Sequence, residues 1–261
     1  MRQDAIYDRS RDRKSEITTL THDYAAGYVI PLHFHDRDQL VYATRGVMTV
    51  RTASGTWVVP TYRAVWIPAA IRHTIVMSGI VAMRTLYLRR GLARALPRDC
   101  CVVNVSNLLK ELILHACTIG ALRKGIKLQH HLIDTILDQI ETIQMIPMQL
   151  PHLTDSRAFR IAERLNADPG NNQPLAHICK IGGASKRTVE RLFQEETGMT
   201  FGKWRQQLRL MHAMRLLAEG AKVTYAALEA GYSTPSAFIS MFRKTLGVTP
   251  RLYFKMTAAN E

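Results

Sequence analysis

Very little in this 261-residue chain could staple it together or anchor it in a membrane. Its four cysteines, Cys100, Cys101, Cys117 and Cys179, lack the paired spacing of a zinc site or a disulfide framework, so neither kind of cross-link is expected to hold the fold. Cys117 and Cys179 lie in helical apolar contexts and read as buried thiols. The adjacent Cys100 and Cys101 take the same default, with redox activity as the alternative. No apolar run reaches 18 residues, which excludes a membrane-spanning helix. The opening residues 1–15, MRQDAIYDRSRDRKS, alternate charges where a secretory leader needs an apolar run. They are expected to be a disordered arm on a cytoplasmic protein with no membrane partner. Acid is also scarce, with 21 Asp and Glu against 35 Lys and Arg, for a net charge of +14. Such an excess favours phosphate-bearing partners in a salt-dependent way. It does not locate a site, because residues 1–153 and 154–261 each carry +7, and weak binding to an acidic surface needs no more than that. With 47% apolar residues the chain can fill two separate cores.

The last third contains a repeat. Residues 175–201, LAHICKIGGASKRTVERLFQEETGMTF, are echoed by residues 223–250, VTYAALEAGYSTPSAFISMFRKTLGVTP, with Gly183 answering Gly231, Phe193 answering Phe242 and Gly198 answering Gly247. Each copy must be one supersecondary unit, and its pattern reads as helix, glycine turn, helix. Ser185 and Thr234 are good N-caps, and Pro235 suits a first helical position. Val189, Leu192 and Phe193 in one copy, and Phe238, Met241 and Phe242 in the other, make the same i, i+3, i+4 stripe. The stripe leaves Lys186, Arg187, Glu190, Arg191 and Gln194 outward in the first copy. In the second it leaves Ser236, Ala237, Ile239, Ser240, Arg243 and Lys244. A helix laid in a major groove needs this division, with base-edge contacts near its start and basic groups for phosphates. Two ordinary amphipathic hairpins with solvated faces are the alternative, which duplication weakens. Residues 202–220, GKWRQQLRLMHAMRLLAEG, read as one connecting helix of roughly 25–30 Å, a spacing close to one turn of duplex. Rigid spacing of the two units and simple core filling both account for it.

On those residues the last hundred or so positions resemble the DNA-binding domain of the AraC/XylS family of bacterial transcription regulators. The resemblance implies recognition through the exposed faces, above all Arg187, Glu190 and Arg191 in the first unit and Ser236, Ala237 and Ser240 in the second. Departures are Cys179 and Ala227 in the small-residue slot of the scaffolding helices and a Gly182-Gly183 pair read as a looser turn than usual. The second face is poor in long polar groups. The first unit is therefore expected to supply base discrimination and the second phosphate anchoring.

The front half alternates with period two from Tyr24 to Leu88, interrupted at Gly46, Ser54-Gly55, Pro60 and Ser78-Gly79. Many short strands so spaced point to a small β-barrel or jelly roll. His33 and His35, two apart on a strand, share a face with Gln39, and His73 sits on a later strand. Three imidazoles and an amide oxygen make a plausible set for a first-row divalent metal. The spacing resembles the two metal motifs of the cupin fold, with Gln39 where Glu is usual and Ala70 where Gly is usual. The missing carboxylate implies a weaker site or a softer ion. Three histidines hydrogen-bonded in a metal-free ligand pocket remain the other reading. Tyr42, Trp57, Trp66 and Tyr87 are candidates to line such a pocket, or they simply fill the barrel.

Two amphipathic helices are expected at residues 105–119 and 128–145. The family resemblance implies dimerisation through them, the alternative being a monomer that packs them on its own barrel. The expected architecture is thus α+β and multidomain: a cupin-like sensor over 1–100, a helical linker and dimerisation segment over 101–153, and a DNA-binding domain over 154–261 with helix-turn-helix units at about 174–201 and 222–250. Pro147 and Pro151 mark the boundary. The expected function is a transcription regulator acting on a double-stranded DNA operator. It is read as an activator working with RNA polymerase, as a homodimer, under a small-molecule or metal effector. A cupin enzyme with a DNA tether is the runner-up, although the front half offers no evident acid, base or substrate clamp and Gln39 cannot be a general base. An architectural DNA-binding protein would leave the barrel without a task.

Overall fold

The structure, a computed structural model, describes residues 12, 14–146 and 148–258. The expected arm therefore lies almost wholly outside the described residues, as does the boundary proline Pro147. The chain divides into two compact units, one running through residue 148 without residues 53–56, the other comprising those four and the chain from residue 149.

The first unit is an antiparallel sheet with two helices. Its strands are β1 (Ile17–Tyr24), β2 (Val29–His33), β3 (Asp38–Arg51), β4 (Gly55–Pro60), β5 (Arg63–Ile67), β6 (His73–Leu88), β7 (Cys101–Asn104), β8 (Ala121–Leu122) and β9 (Met145–Ile146). Its helices are α1 (Asn107–Ile119) and α2 (Lys127–Glu141). The long strands β3 and β6 pair from Asp38↔Leu88 to Arg51↔Thr74, with register shifts between Ala43 and Val47. Gly46 sits in that irregularity at φ +80°, where a Cβ would stand 2.5 Å from the carbonyl oxygen of Ile80. Only glycine fits there without moving the strand. On its other edge β6 pairs first with β2, His33 facing His73, and then with β1.

Cross-strand partners lie on one face of a sheet. Leu40 pairs with Trp66 and Leu86, and that face meets the helices: Leu109, Ile113 and Ala116 of α1 and Ile133, Ile136 and Ile140 of α2 share one cluster with Tyr42, Trp66 and Leu86. Gln39 pairs with Ile67 and Tyr87, on the opposite face. The helices of the expected linker segment thus belong to the sheet's own core. The expected closed barrel is corrected. The strand path runs β8-β1-β6-β3-β5-β7-β9 and ends on two strands of two residues each. Edges that short cannot carry a ladder from one end of the path to the other, and the two helices pack on one face of the sheet.

The second unit is helical: α3 (Ser156–Ala167), α4 (Leu175–Gly182), α5 (Lys186–Thr197), α6 (Phe201–Ala218), α7 (Val223–Glu229), α8 (Pro235–Leu246) and α9 (Pro250–Ala258). The helix starts carry the caps their sequences call for. Asp155, Ser185, Thr200 and Thr234 accept backbone N–H groups at the starts of α3, α5, α6 and α8. Phe193 packs edge-on against Phe201 and Trp204, and Phe242 against Phe238 and Tyr253. Each fully buried phenylalanine contributes about 1.5–3 kcal/mol.

Candidate functional site

The repeated segments fold alike down to their turn hydrogen bonds. After α4 the N–H of Gly183 donates to Lys180 and that of Ala184 to Cys179; after α7 the N–H of Gly231 donates to Leu228 and that of Tyr232 to Ala227. Both glycines have positive φ, +65° and +77°. The extra residue of the second copy falls between this turn and the N-cap, Thr234, where it disturbs neither helix. Gly182 is not slack in the turn. It ends α4 against α3, where a Cβ would meet Ile161 Cδ1 at 2.7 Å, so the Gly-Gly pair divides close packing from left-handed capping.

Val189, Leu192, Phe193, Phe238, Met241 and Phe242 are buried. Lys186, Arg187, Glu190, Arg191 and Gln194 of α5 are exposed, as are Ser236, Ala237, Ser240, Arg243 and Lys244 of α8, while Ile239 is half-covered. Two cations of α5 are committed along the helix. Lys186 pairs with Glu190 at 3.9 Å and Arg191 with Glu195 at 2.5 Å. Exposed pairs of this kind contribute at most about 1 kcal/mol, so a phosphate or a base edge can displace them. Ser236, Ser240, Arg243 and Lys244 line an open groove together with Ile239, Gly247 and Thr249.

Sequence reasoning missed the brace between the two units. Arg205 and Arg209, one turn apart on α6, donate to the chain between α3 and α4: Arg205 to the carbonyls of Asn171 and, at 3.1 Å, Gln173, and Arg209 to Asn171 at 2.7 Å and to the Asn172 side chain at 2.7 Å. Gly170 of this segment abuts the second turn, for its Cβ would stand 2.5 Å from the carbonyl oxygen of Glu229. The i, i+4 spacing of these arginines is visible in sequence, but their partners are carbonyls of a segment about 35 residues away, which no local pattern reveals.

In the first unit His33, His35 and His73 converge, with their ligand atoms within 4.8 Å of one another. The Nδ1 of His33 lies 2.7 Å from the Pro31 carbonyl, and that of His73 lies 2.9 Å from the Ile71 carbonyl. A carbonyl only accepts, so each Nδ1 carries the proton, and the Nε2 of His73 is left with its lone pair. The Nε2 atoms of His35 and His73 and the Oε1 of Gln39 are buried with no hydrogen-bond partner among the described residues. Burial, with repulsion from His33 and His73, pushes the His35 pKa down to about 3; burial, with His33, takes His73 down to about 4. Burial lowers His33 too. Burial thus keeps these rings unprotonated at physiological pH, and ligand atoms so close together with buried, unpartnered nitrogens fit a divalent cation. The second-sphere pattern also fits, since metal-bound histidines commonly donate their other N–H to a backbone carbonyl.

The four aromatic candidates do not come together. Tyr42 and Trp66 lie in the helix-covered cluster, whereas Tyr87 packs against His35 on the opposite face at a ring distance of 4.8 Å. Trp57 is buried on β4. The alternation of β3, β5 and β6 divides them, a parity that the list of aromatics alone does not convey.

Comparison with known proteins identifies the family. Residues 18–160 match the family model of the AraC-like ligand binding domain, and residues 178–256 match that of a helix-turn-helix domain. The chain is 29% identical over 247 residues to the HTH-type transcriptional regulator NimR of Escherichia coli (strain K12), covering 95% of this chain and 90% of that one. It is 33% identical over 101 residues to the regulator RipA of Corynebacterium diphtheriae, covering 38% and 30%. Among solved structures, ToxT of Vibrio cholerae strain SCE256 aligns over 94% of this chain and 96% of its own at 14% identity, TM-score 0.38. The DNA-binding domain of AdpA in complex with a target DNA aligns over 41% and 97% at 25% identity, TM-score 0.39. With its ligand-binding and helix-turn-helix domains both matched, this chain belongs to the AraC family of transcriptional regulators and is not an enzyme.

Proposed function

We propose that this protein is a sequence-specific transcription activator that reads its operator with α5 and α8 under control of an effector held by the first unit, and that it acts in the cytoplasm. One observation carries the reading: two capped helices of a duplicated unit bury the same apolar stripe and expose nine polar or charged candidates together with Ala237. Arg187 leads on α5, because it lies in the first turn, where side chains reach base edges, and among the described residues no ion pair holds it. Arg191 and Glu190 follow. On α8 the short side chains of Ser236, Ala237 and Ser240 admit close approach, and Arg243 and Lys244 meet phosphate. Arg191→Ala should relax base preference at one operator position, at a cost of about 1–3 kcal/mol. Lys244→Ala should weaken binding to all sequences alike and flatten its salt dependence. If base preference instead followed Ser240→Ala and ignored Arg191→Ala, the assigned order of the two units would be reversed.

The effector side has a metal component in this reading. His33, His35 and His73, with Gln39, would hold a divalent transition ion, whose charge would satisfy the buried acceptors left without partners. All four ligands are neutral, so the ion would bind less tightly than in a site with a carboxylate. Protein purified without chelator should carry it in elemental analysis and lose it on His73→Ala. Equal metal content in both proteins rules the site out. The assembly is read as a homodimer, with Leu108 on α1 at 53% exposure and Leu128 on α2 at 80% left apolar and uncovered. Sedimentation of a Leu128→Glu variant should show monomer where the parent shows dimer, and identical profiles would refute this contact. Activation further implies a contact with RNA polymerase, which transcription from the operator-bearing promoter would report.

A further inference from the structure

The chain between α3 and α4 is fastened on two sides. Its shape is set from within: the buried Asn171 donates its side-chain amide to Asp168 at 3.1 Å and accepts the N–H of Gln173 at 3.0 Å. Along one side it takes hydrogen bonds from α6. The Asn171 carbonyl accepts from both Arg205 and Arg209, that of Gln173 from Arg205 at 3.1 Å and that of Pro169 from the Nε of Arg209 at 3.4 Å, while the Asn172 side chain accepts from Arg209 at 2.7 Å. On the other side backbone meets backbone. A Cβ on Gly170 would stand 2.5 Å from the Glu229 carbonyl oxygen, and one on Gly231 would stand 2.5 Å from that of Gly170 and 2.9 Å from Arg209 Nη2. Arg209 thus reaches this segment and the turn between α7 and α8 together.

The segment leads through α4 into α5, and the turn it abuts leads into α8. The length of α6 sets the separation of the two helix pairs along its own axis. Their rotation about that axis is set by contacts that cross from one pair to the other, and the arginine brace is such a contact. A guanidinium suits the task, because its planar fork of five donors holds several carbonyls at fixed angles, which an ammonium on a flexible stem does not. Recognition groups have to be held to roughly 10–20°. One added base pair displaces a contact group by about 3.4 Å along the duplex and roughly 34–36° around it, so a rigid frame tells one spacing from the next. We propose that Arg205 and Arg209 are positioning residues that set the operator spacing this protein accepts, by locking α8 in rotation against α5. The inference rests on the reading of α5 and α8 as paired recognition helices and deepens it, because it names what decides the interval between their contacts.

The test uses the full chain and duplex DNA. A site is selected by the parent protein from a pool of random-sequence duplexes, and its two contact groups are mapped by base substitution. Binding is then measured to that site and to versions in which the interval between the groups is one or two base pairs longer or shorter. The parent should bind each altered version about tenfold or more weakly. The Arg205→Met/Arg209→Met double variant should bind all versions within about threefold of one another, while the cost of each base substitution inside a contact group stays as in the parent. The single variant Arg209→Lys keeps the charge without the fork; it should flatten the spacing preference in the same direction, and it carries the test where the double variant fails to fold. Variants that reject altered spacing as sharply as the parent overturn the proposal and leave the paired-helix reading intact. So does a double variant that weakens binding equally at every spacing while Arg209→Lys matches the parent, the mark of a phosphate contact. A parent with a single contact group overturns the paired-helix reading and this inference with it.

Discussion

Ala70 has φ +68° in the turn that precedes His73, with its N–H donating to His35 at 2.8 Å. A side chain there costs about 1–2 kcal/mol that glycine avoids. The cupin-like motif expects glycine at this position, so the departure noted in sequence is one the backbone has not followed. Ala70→Gly should therefore raise stability by about 0.5–1 kcal/mol once the extra freedom of the unfolded chain is subtracted, seen as a higher denaturation midpoint. A lower midpoint would contradict the account. The histidines themselves give a pH signature. His35 and His73 have folded-state values, about 3 and about 4, below the ordinary 6.5. The unfolded chain therefore takes up protons first, and their stabilisation, complete above about pH 7, is lost as pH falls from there toward the folded values. In chelator-treated protein the loss from pH 7.5 to 5.5 should be about 2–3 kcal/mol, and the His35→Asn/His73→Asn double variant should show most of it removed.

The two copies of the helical unit differ in what surrounds their turn glycines. A Cβ on Gly183 would have only Arg160 Nη2 within 4 Å, at 3.8 Å, whereas one on Gly231 would stand 2.5 Å from the Gly170 carbonyl oxygen. Gly183→Ala should cost about 1 kcal/mol, the penalty for positive φ alone, and Gly231→Ala at least about 2–3 kcal/mol, because backbone must move as well. Similar costs at the two sites in urea titrations would mean that the segment around Gly170 yields freely. Local elements were well written in the sequence. Caps, glycine turns and the i, i+3, i+4 stripes depend on residues within one or two turns, and Ser185, Thr234, Phe193 and Phe242 stand as their pattern required. What the sequence left open depends on long-range pairing. Whether Trp66 faces the histidines or the helices turns on its register with Leu40, and whether the sheet closes turns on how long β8 and β9 are. The histidine cluster was legible in its residue types, but not for the reason the spacing suggested: β2 ends at His33, His35 lies in the loop beyond it and Gln39 on β3, so the loop and not strand alternation brings His35 to the other two.

At the scale of the whole chain, charge and architecture make separate contributions. A net charge of +14 favours association with any polyanion, and in the proposed reading the faces of α5 and α8 add sequence preference. No helix among the described residues is long and apolar enough to cross a membrane. The helix α6, 18 residues and so about 27 Å long, lies between α5 and α8 in the chain and is held by Arg205 and Arg209 at its side. The proposed function calls for two contacts on one duplex at a spacing near one helical turn. Footprinting of the full chain on the DNA upstream of neighbouring genes tests that most directly. The expected result is a bounded protected tract in which two groups of major-groove positions, about 10 base pairs apart, are shielded, the first exposed again by Arg187→Ala and the second by Ser240→Ala. Uniform protection without boundaries, or a tract that neither substitution alters, would contradict it.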